Sequence, residues 1–143
     1  MSLKEELNND IVVSMKAGLR AVVTTLRGLK DEVQKLEKNT GAELDDSGFV
    51  RVVQTLIKRL NDSIKFAEQG KRDDLVLQYK AQRGTLSHYL PKQLTKEELE
   101  QKIEEIAGSM DPPNLGSIMK ALRRDFDGQF EGKLAAQIAK DYL

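Results

Sequence analysis

The sequence predicts an all-α protein, with an N-terminal multi-helix domain followed by a small C-terminal three-helix tail. Two observations carry that expectation. Apolar residues recur at three- and four-residue spacings along nearly the whole chain, the period of helices that bury one face. Composition agrees: of 143 residues 39% are hydrophobic and 32% charged, Trp is absent and aromatics make up 5%, the balance of helices with heavily solvated outer faces.

The elements follow in order. Ser2 with Glu5 starts a first helix, because a serine hydroxyl and a glutamate carboxylate at this spacing satisfy amides left over at a helix N-terminus. Leu3, Leu7, Ile11 and Met15 form its stripe, which falters near Gly18. A second helix carries Leu19, Val22, Val23, Leu26, Leu29, Val33 and Leu36, and stops at Lys38-Asn39-Thr40-Gly41. Asp45 or Asp46 caps a third, with Phe49, Val52, Val53, Leu56, Ile57, Leu60 and Ile64 toward a core and an end at Gly70. The fourth runs from about Asp73 to Leu90, is less cleanly amphipathic, and is expected to be only partly buried.

Pro91 breaks the helical run, since proline lacks an amide proton and restricts the residue before it. Thr95 and Glu98 then form a second capping box, with Leu94 and Leu99 at the spacing of a hydrophobic staple. The expected domains are therefore 1–91 and 92–143. In the tail, Leu99, Ile103 and Ile106 line a fifth helix that stops near Gly108. Asn114 caps a sixth, carrying Leu115, Ile118, Met119, Leu122 and Phe126. Phe130, Leu134, Ile138 and Tyr142 mark a seventh after Asp127-Gly128.

Composition excludes several kinds of chemistry. With no Cys there are no disulfides, thiolate metal sites or cysteine nucleophiles, and a single His removes most zinc and histidine-based catalytic schemes. No apolar run has the length of a membrane helix, and Met1-Ser2-Leu3-Lys4-Glu5-Glu6 does not resemble a signal peptide, so no membrane partner and a cytoplasmic location are expected. Net charge is zero, with 16 basic and 13 acidic residues in 1–93 against 7 and 10 in 94–143. Bulk charge does not advertise a nucleic-acid partner.

Several blocks resemble the YqeY family of small bacterial proteins. They are Ser2-Leu3-Lys4-Glu5, Met15-Lys16-Ala17, Leu26-Arg27, Ser63-Ile64 and Arg72-Asp73-Asp74-Leu75. The most specific is Tyr89-Leu90-Pro91-Lys92-Gln93-Leu94-Thr95-Lys96-Glu97-Glu98-Leu99, followed by Leu115-Gly116-Ser117-Ile118-Met119 and Gly128-Gln129-Phe130-Glu131-Gly132-Lys133-Leu134. That family is similar to the helical and tail domains of the B subunit of the tRNA-dependent amidotransferase, whose tail holds the tRNA body while other domains do the chemistry. The resemblance implies a non-catalytic, tRNA-binding accessory module of translation with no cofactor. The alternative is a protein-interaction adaptor that docks on an aminoacyl-tRNA synthetase, an amidotransferase or another translation factor.

The candidate residues follow. From Asn114 to Arg124 there is no acidic residue, and Lys120, Arg123 and Arg124 lie within little more than one turn, with Lys133 at the next helix start. These are the expected phosphate contacts once the resemblance is taken into account. Gly116 and Gly132 sit at helix starts, and with Gln129 they leave open a backbone approach to a phosphate. Gly116 or Gly132 is otherwise expected to permit close helix packing. Tyr89, Leu90 and Pro91, with Thr95 and Glu98, are read as an interdomain hinge. His88 is read as a surface or interdomain histidine with no catalytic role. Glu97, Glu98, Glu100, Glu104 and Glu105 are read as complementing a helix dipole or facing solvent, and no metal site is expected.

Overall fold

In the computed structural model, which describes residues 2–143, seven helices follow one another and no strand occurs among the described residues. They are α1 (Leu3–Lys16), α2 (Arg20–Thr40), α3 (Asp46–Gln69), α4 (Asp73–Ser87), α5 (Lys96–Gly108), α6 (Leu115–Phe126) and α7 (Gly132–Lys140). The chain divides into two compact units, Met1–Leu90 and Pro91–Leu143.

Local hydrogen bonds explain where the first unit's helices begin. The Ser2 hydroxyl accepts from the Glu5 amide, and the Asp45 carboxylate accepts from the Gly48 amide, each satisfying a donor with no partner inside its helix. At the far end of α2, Gly41 takes the left-handed conformation (φ 72°) that closes a helix, where a Cβ would be strained. Glu37 then ties three segments together. Its Oε2 accepts from Lys4 Nζ at 2.6 Å and from the Leu44 amide at 2.8 Å, holding α1 and the α2–α3 loop against α2. These bonds hold the Glu37 carboxyl below its ordinary range, the bond from Lys4 contributing most.

The core of this unit is built by Leu7, Ile11, Leu26, Leu29, Val33, Phe49, Val53, Leu86 and Tyr89, drawn from all four helices and the residues just after α4. α4 contributes one fully buried side chain within its span, Leu86. Several details differ from the periodicity. Leu19, expected in the stripe of the second helix, is the N-cap residue before α2 and is 51% exposed, and Leu36 of the same stripe is 38% exposed. Met15, expected in the core stripe of α1, is 52% exposed, while Ser14 is buried. A strict four-residue stripe drifts by about 40° per step on a helix of 3.6 residues per turn. By Met15 it has left the face set by Leu7, whereas Ser14, seven residues on, has returned to it. The fourth helix also ends three residues earlier than expected. Beyond Ser87 the chain tightens, with Tyr89 N donating to Leu86 O and Leu90 N to Ser87 O, and the residue before a proline disfavours α-helix.

The second unit is a three-helix bundle. Thr95 and Glu98 form the reciprocal capping box at the start of α5, and the Asn114 side chain accepts from the Ser117 amide at the start of α6. Leu99, Ile103, Ile118, Leu122, Ala135 and Ala139 are fully buried or nearly so, and Leu94 packs on this core from outside α5. Gly128 adopts φ 77°, which permits the sharp reversal after α6. Phe130 is buried as expected, but it precedes α7 rather than lying in it, and Tyr142 follows its end. Gly132 has open space at its Cβ position, and the nearest atom at Gly116 is its own cap, Asn114 Oδ1 at 3.2 Å. Neither glycine is there for close helix packing, contrary to expectation, because both stand in exposed first turns.

Two measurements follow. Thr95→Ala should lower stability by about 1 kcal/mol in chemical denaturation followed by helical ellipticity, since one amide loses its acceptor. The Glu37 contribution should be complete above the ordinary carboxylate value of 4.5 and should fade as pH falls through the depressed native value. Glu37→Gln should therefore flatten the acid limb of the stability profile and lower stability at neutral pH; an unchanged acid limb would contradict this role.

Candidate functional site

α6 carries Lys120, Arg123 and Arg124 on its solvent side, all exposed. Lys120 and Arg124, four apart, share a face, with Arg123 beside them. Arg123 and Arg124 lie in the last turn, where the negative end of the helix dipole favours cations without any ligand. Arg124 is also engaged by its neighbour: Nε and Nη2 donate to the two Asp125 carboxylate oxygens at 3.0 and 3.2 Å. That fork raises the guanidinium further and lowers the carboxyl, and being exposed it is weak enough to exchange.

α6 packs against both α5 and α7, so the α6 cations stand on a helix adjacent to the one bearing Lys133. Lys133 is the second residue of α7 and is exposed. Before it stand Gly132, with open space around it, and Glu131, whose side chain makes no cap bond. Gln129 is half-buried, and its backbone carries a structural load: its carbonyl accepts from the Leu94 amide at 2.8 Å. A residue to which the sequence reading gave no role, Gln93, completes this corner. Its side-chain amide donates to Pro91 O at 2.8 Å and to Gly128 O at 2.7 Å, clamping the segment before α5 onto the α6–α7 turn. Nothing local marks Gln93, because its partner is 35 residues away.

The expected hinge residues have unequal surroundings. Tyr89 is 3% exposed in the first unit's core, its ring edge-on to Phe49 with centroids 5.7 Å apart. Its hydroxyl donates to Asp10 Oδ2 at 2.5 Å. Burial, and then this bond to a carboxylate, push the phenol far above its ordinary range, so it remains a donor. Leu90 is half-buried against the same core, Pro91 is exposed, and Thr95 and Glu98 serve as the α5 cap.

Around Tyr89 the fold assembles a group that the sequence reading did not find. Glu6 and Asp10 lie four apart on α1, and His88, at the C-cap of α4, stands beside them with Nε2 3.4 Å from Glu6 Oε1. One donor atom from each of Glu6, Asp10 and His88 lies within 4.8 Å of the other two. Asp10, His88 and Tyr89 also line an open pocket of about 270 Å³, whose other walls are Val13, Ser14, Val22, Leu26 and Thr85. Val12, Val13, Met15 and Leu19 of this unit expose large apolar surface, Val13 to 65%.

No described helix is long and apolar enough to cross a membrane. No curated relative matches the chain. The family described as Yqey-like protein matches residues 4–143, a span that covers nearly all of the first unit, the whole of the second and the Tyr89–Leu99 block. The chain therefore belongs to the YqeY family.

Proposed function

We propose that this protein is a non-catalytic accessory module that binds the folded body of tRNA through its tail unit. The observation that carries the reading is the exposed run of Lys120, Arg123 and Arg124 on one helix, with Lys133 in the first turn of a helix packed beside it. Such cations suit phosphates, which position an RNA without reading its bases. Aromatic stacking does not enter the proposal, because the tail's Phe130 is buried, Tyr142 packs partly buried on the core, and Phe126 is half-buried with the Lys102 ammonium 5.7 Å from its ring centre. Gly116 and Gly132 stand at the starts of α6 and α7 and offer backbone groups rather than charge, whereas the backbone of Gln129 is taken up by Leu94 and Phe126 and leaves only its side-chain amide for a ligand. The likeness of the family to the tRNA-holding tail of the amidotransferase B subunit supports the same choice of ligand.

A second reading, a protein-interaction adaptor for a synthetase or amidotransferase, is favoured by the exposed Val12, Val13, Met15 and Leu19 in the first unit. The two readings separate by salt. Phosphate binding should weaken steeply as salt rises, and each of Lys120→Ala, Arg123→Ala and Lys133→Ala should reduce the slope of log affinity against log salt by about one unit. The loss should be similar for every tRNA sequence. Arg124→Ala should cost less than Lys120→Ala, since Asp125 already occupies its fork. Fluorescence anisotropy with labelled tRNA measures all of this. Unchanged binding in Lys120→Glu/Arg124→Glu, with helical content preserved, would remove this surface and move attention to Arg20, Arg27, Lys58 and Arg59. Absence of tRNA affinity at physiological salt, together with protein crosslinks abolished by Val13→Asp, would favour the adaptor.

A further inference from the structure

The first unit holds a group that tRNA binding does not use. Glu6, Asp10 and His88 come from opposite ends of that unit's chain, yet their donor atoms converge within 4.8 Å. We propose that these three side chains form a binding site for a divalent transition-metal ion of the zinc type, with one coordination position open to the adjoining pocket.

The first argument is metric. Zinc binds imidazole nitrogen at about 2.0–2.1 Å and carboxylate oxygen at about 2.0–2.2 Å, so two such donors at a tetrahedral centre stand about 3.4 Å apart. His88 Nε2 and Glu6 Oε1 stand at 3.4 Å. Asp10 belongs to the same α1 face as Glu6, one turn on, and one of its carboxylate oxygens lies within 4.8 Å of both other donors.

The second argument lies behind the donors. A carboxylate that ligates a metal is commonly steadied by a hydrogen-bond donor. Tyr89, locked in the core and protonated, donates to Asp10 Oδ2 and leaves Oδ1 for an ion. His88 is held from the other side, its ring edge-on to Tyr89 with centroids 5.2 Å apart.

The third argument is the pocket. Asp10 and His88 form part of its wall, and Val13, Val22 and Leu26 make much of the remainder apolar. Three protein donors leave a tetrahedral ion one position short, and the pocket of about 270 Å³ that two of them line has room for water or a small carboxylate there. The donor set also discriminates among ions. Calcium takes six to eight oxygens and magnesium prefers an all-oxygen octahedron, whereas a mixed imidazole and carboxylate set suits zinc or its first-row neighbours. This site lies wholly in the first unit, so it stands or falls independently of the tail's ligand.

Isothermal titration of the full chain with Zn2+, and with Co2+ as a spectroscopic reporter, tests the assignment. One ion should bind per chain, Co2+ should give the intense visible bands of a four-coordinate centre, and Mg2+ should not compete. His88→Ala and Glu6→Gln should each abolish saturable binding. Tyr89→Phe should weaken it by about ten- to a hundredfold, because it removes only the support of Asp10. His88 is exposed, so His88→Ala is expected to retain wild-type helical content, verified by circular dichroism. Zn2+ affinity unchanged in a folded His88→Ala protein, or no saturable binding at millimolar Zn2+, would overturn the proposal and leave His88 and Glu6 as an ordinary ion pair.

Discussion

Tyr89 carries the constraint on which much of the first unit depends. A buried phenol must find an acceptor for its hydroxyl, and the acceptor here is Asp10, 79 residues earlier. Where that bond is made, α4 ends at Ser87 in a tighter turn and the ring packs inward onto Phe49. The turn brings the residues just after α4 against side chains of α1. It sets His88 beside Glu6, makes one wall of the pocket, and adds an aromatic ring to a core otherwise made of aliphatic side chains and Phe49.

The second unit relies on closely spaced local devices instead. A capping box, an asparagine cap and a left-handed glycine set its helix ends within a short stretch of chain. Gln93 adds the link that no single helix supplies, satisfying two carbonyls with one side-chain amide. A small bundle with a core of mainly Leu, Ile and Ala gains much from such ends, because its buried apolar area is limited.

Zero net charge hides a division of surface chemistry between the units. The tail concentrates cations at the end of α6 and the start of α7, while the first unit exposes several large apolar side chains and brings together two carboxylates and the only histidine. A binding module built this way would be steered by local fields and short-range contacts, since the total charge provides no long-range attraction.

How much of this was legible in the sequence depends on the range of each interaction. Ser2, Asp45, Thr95 and Asn114 declared their helices because a cap acts on an amide three residues away. The Lys120–Arg124 face was legible for the same reason, both residues being four apart on one helix. Periodicity succeeded in the middle of the α2 stripe, at Val23, Leu26, Leu29 and Val33, and failed at its ends, Leu19 and Leu36, and at Met15, where a strict four-residue step drifts off the buried face. The end of α4, the Gln93 clamp and the meeting of Glu6, Asp10 and His88 were decided only by the tertiary structure. Each requires two segments distant in sequence to pack side by side, and no spacing within either segment encodes where the other will lie.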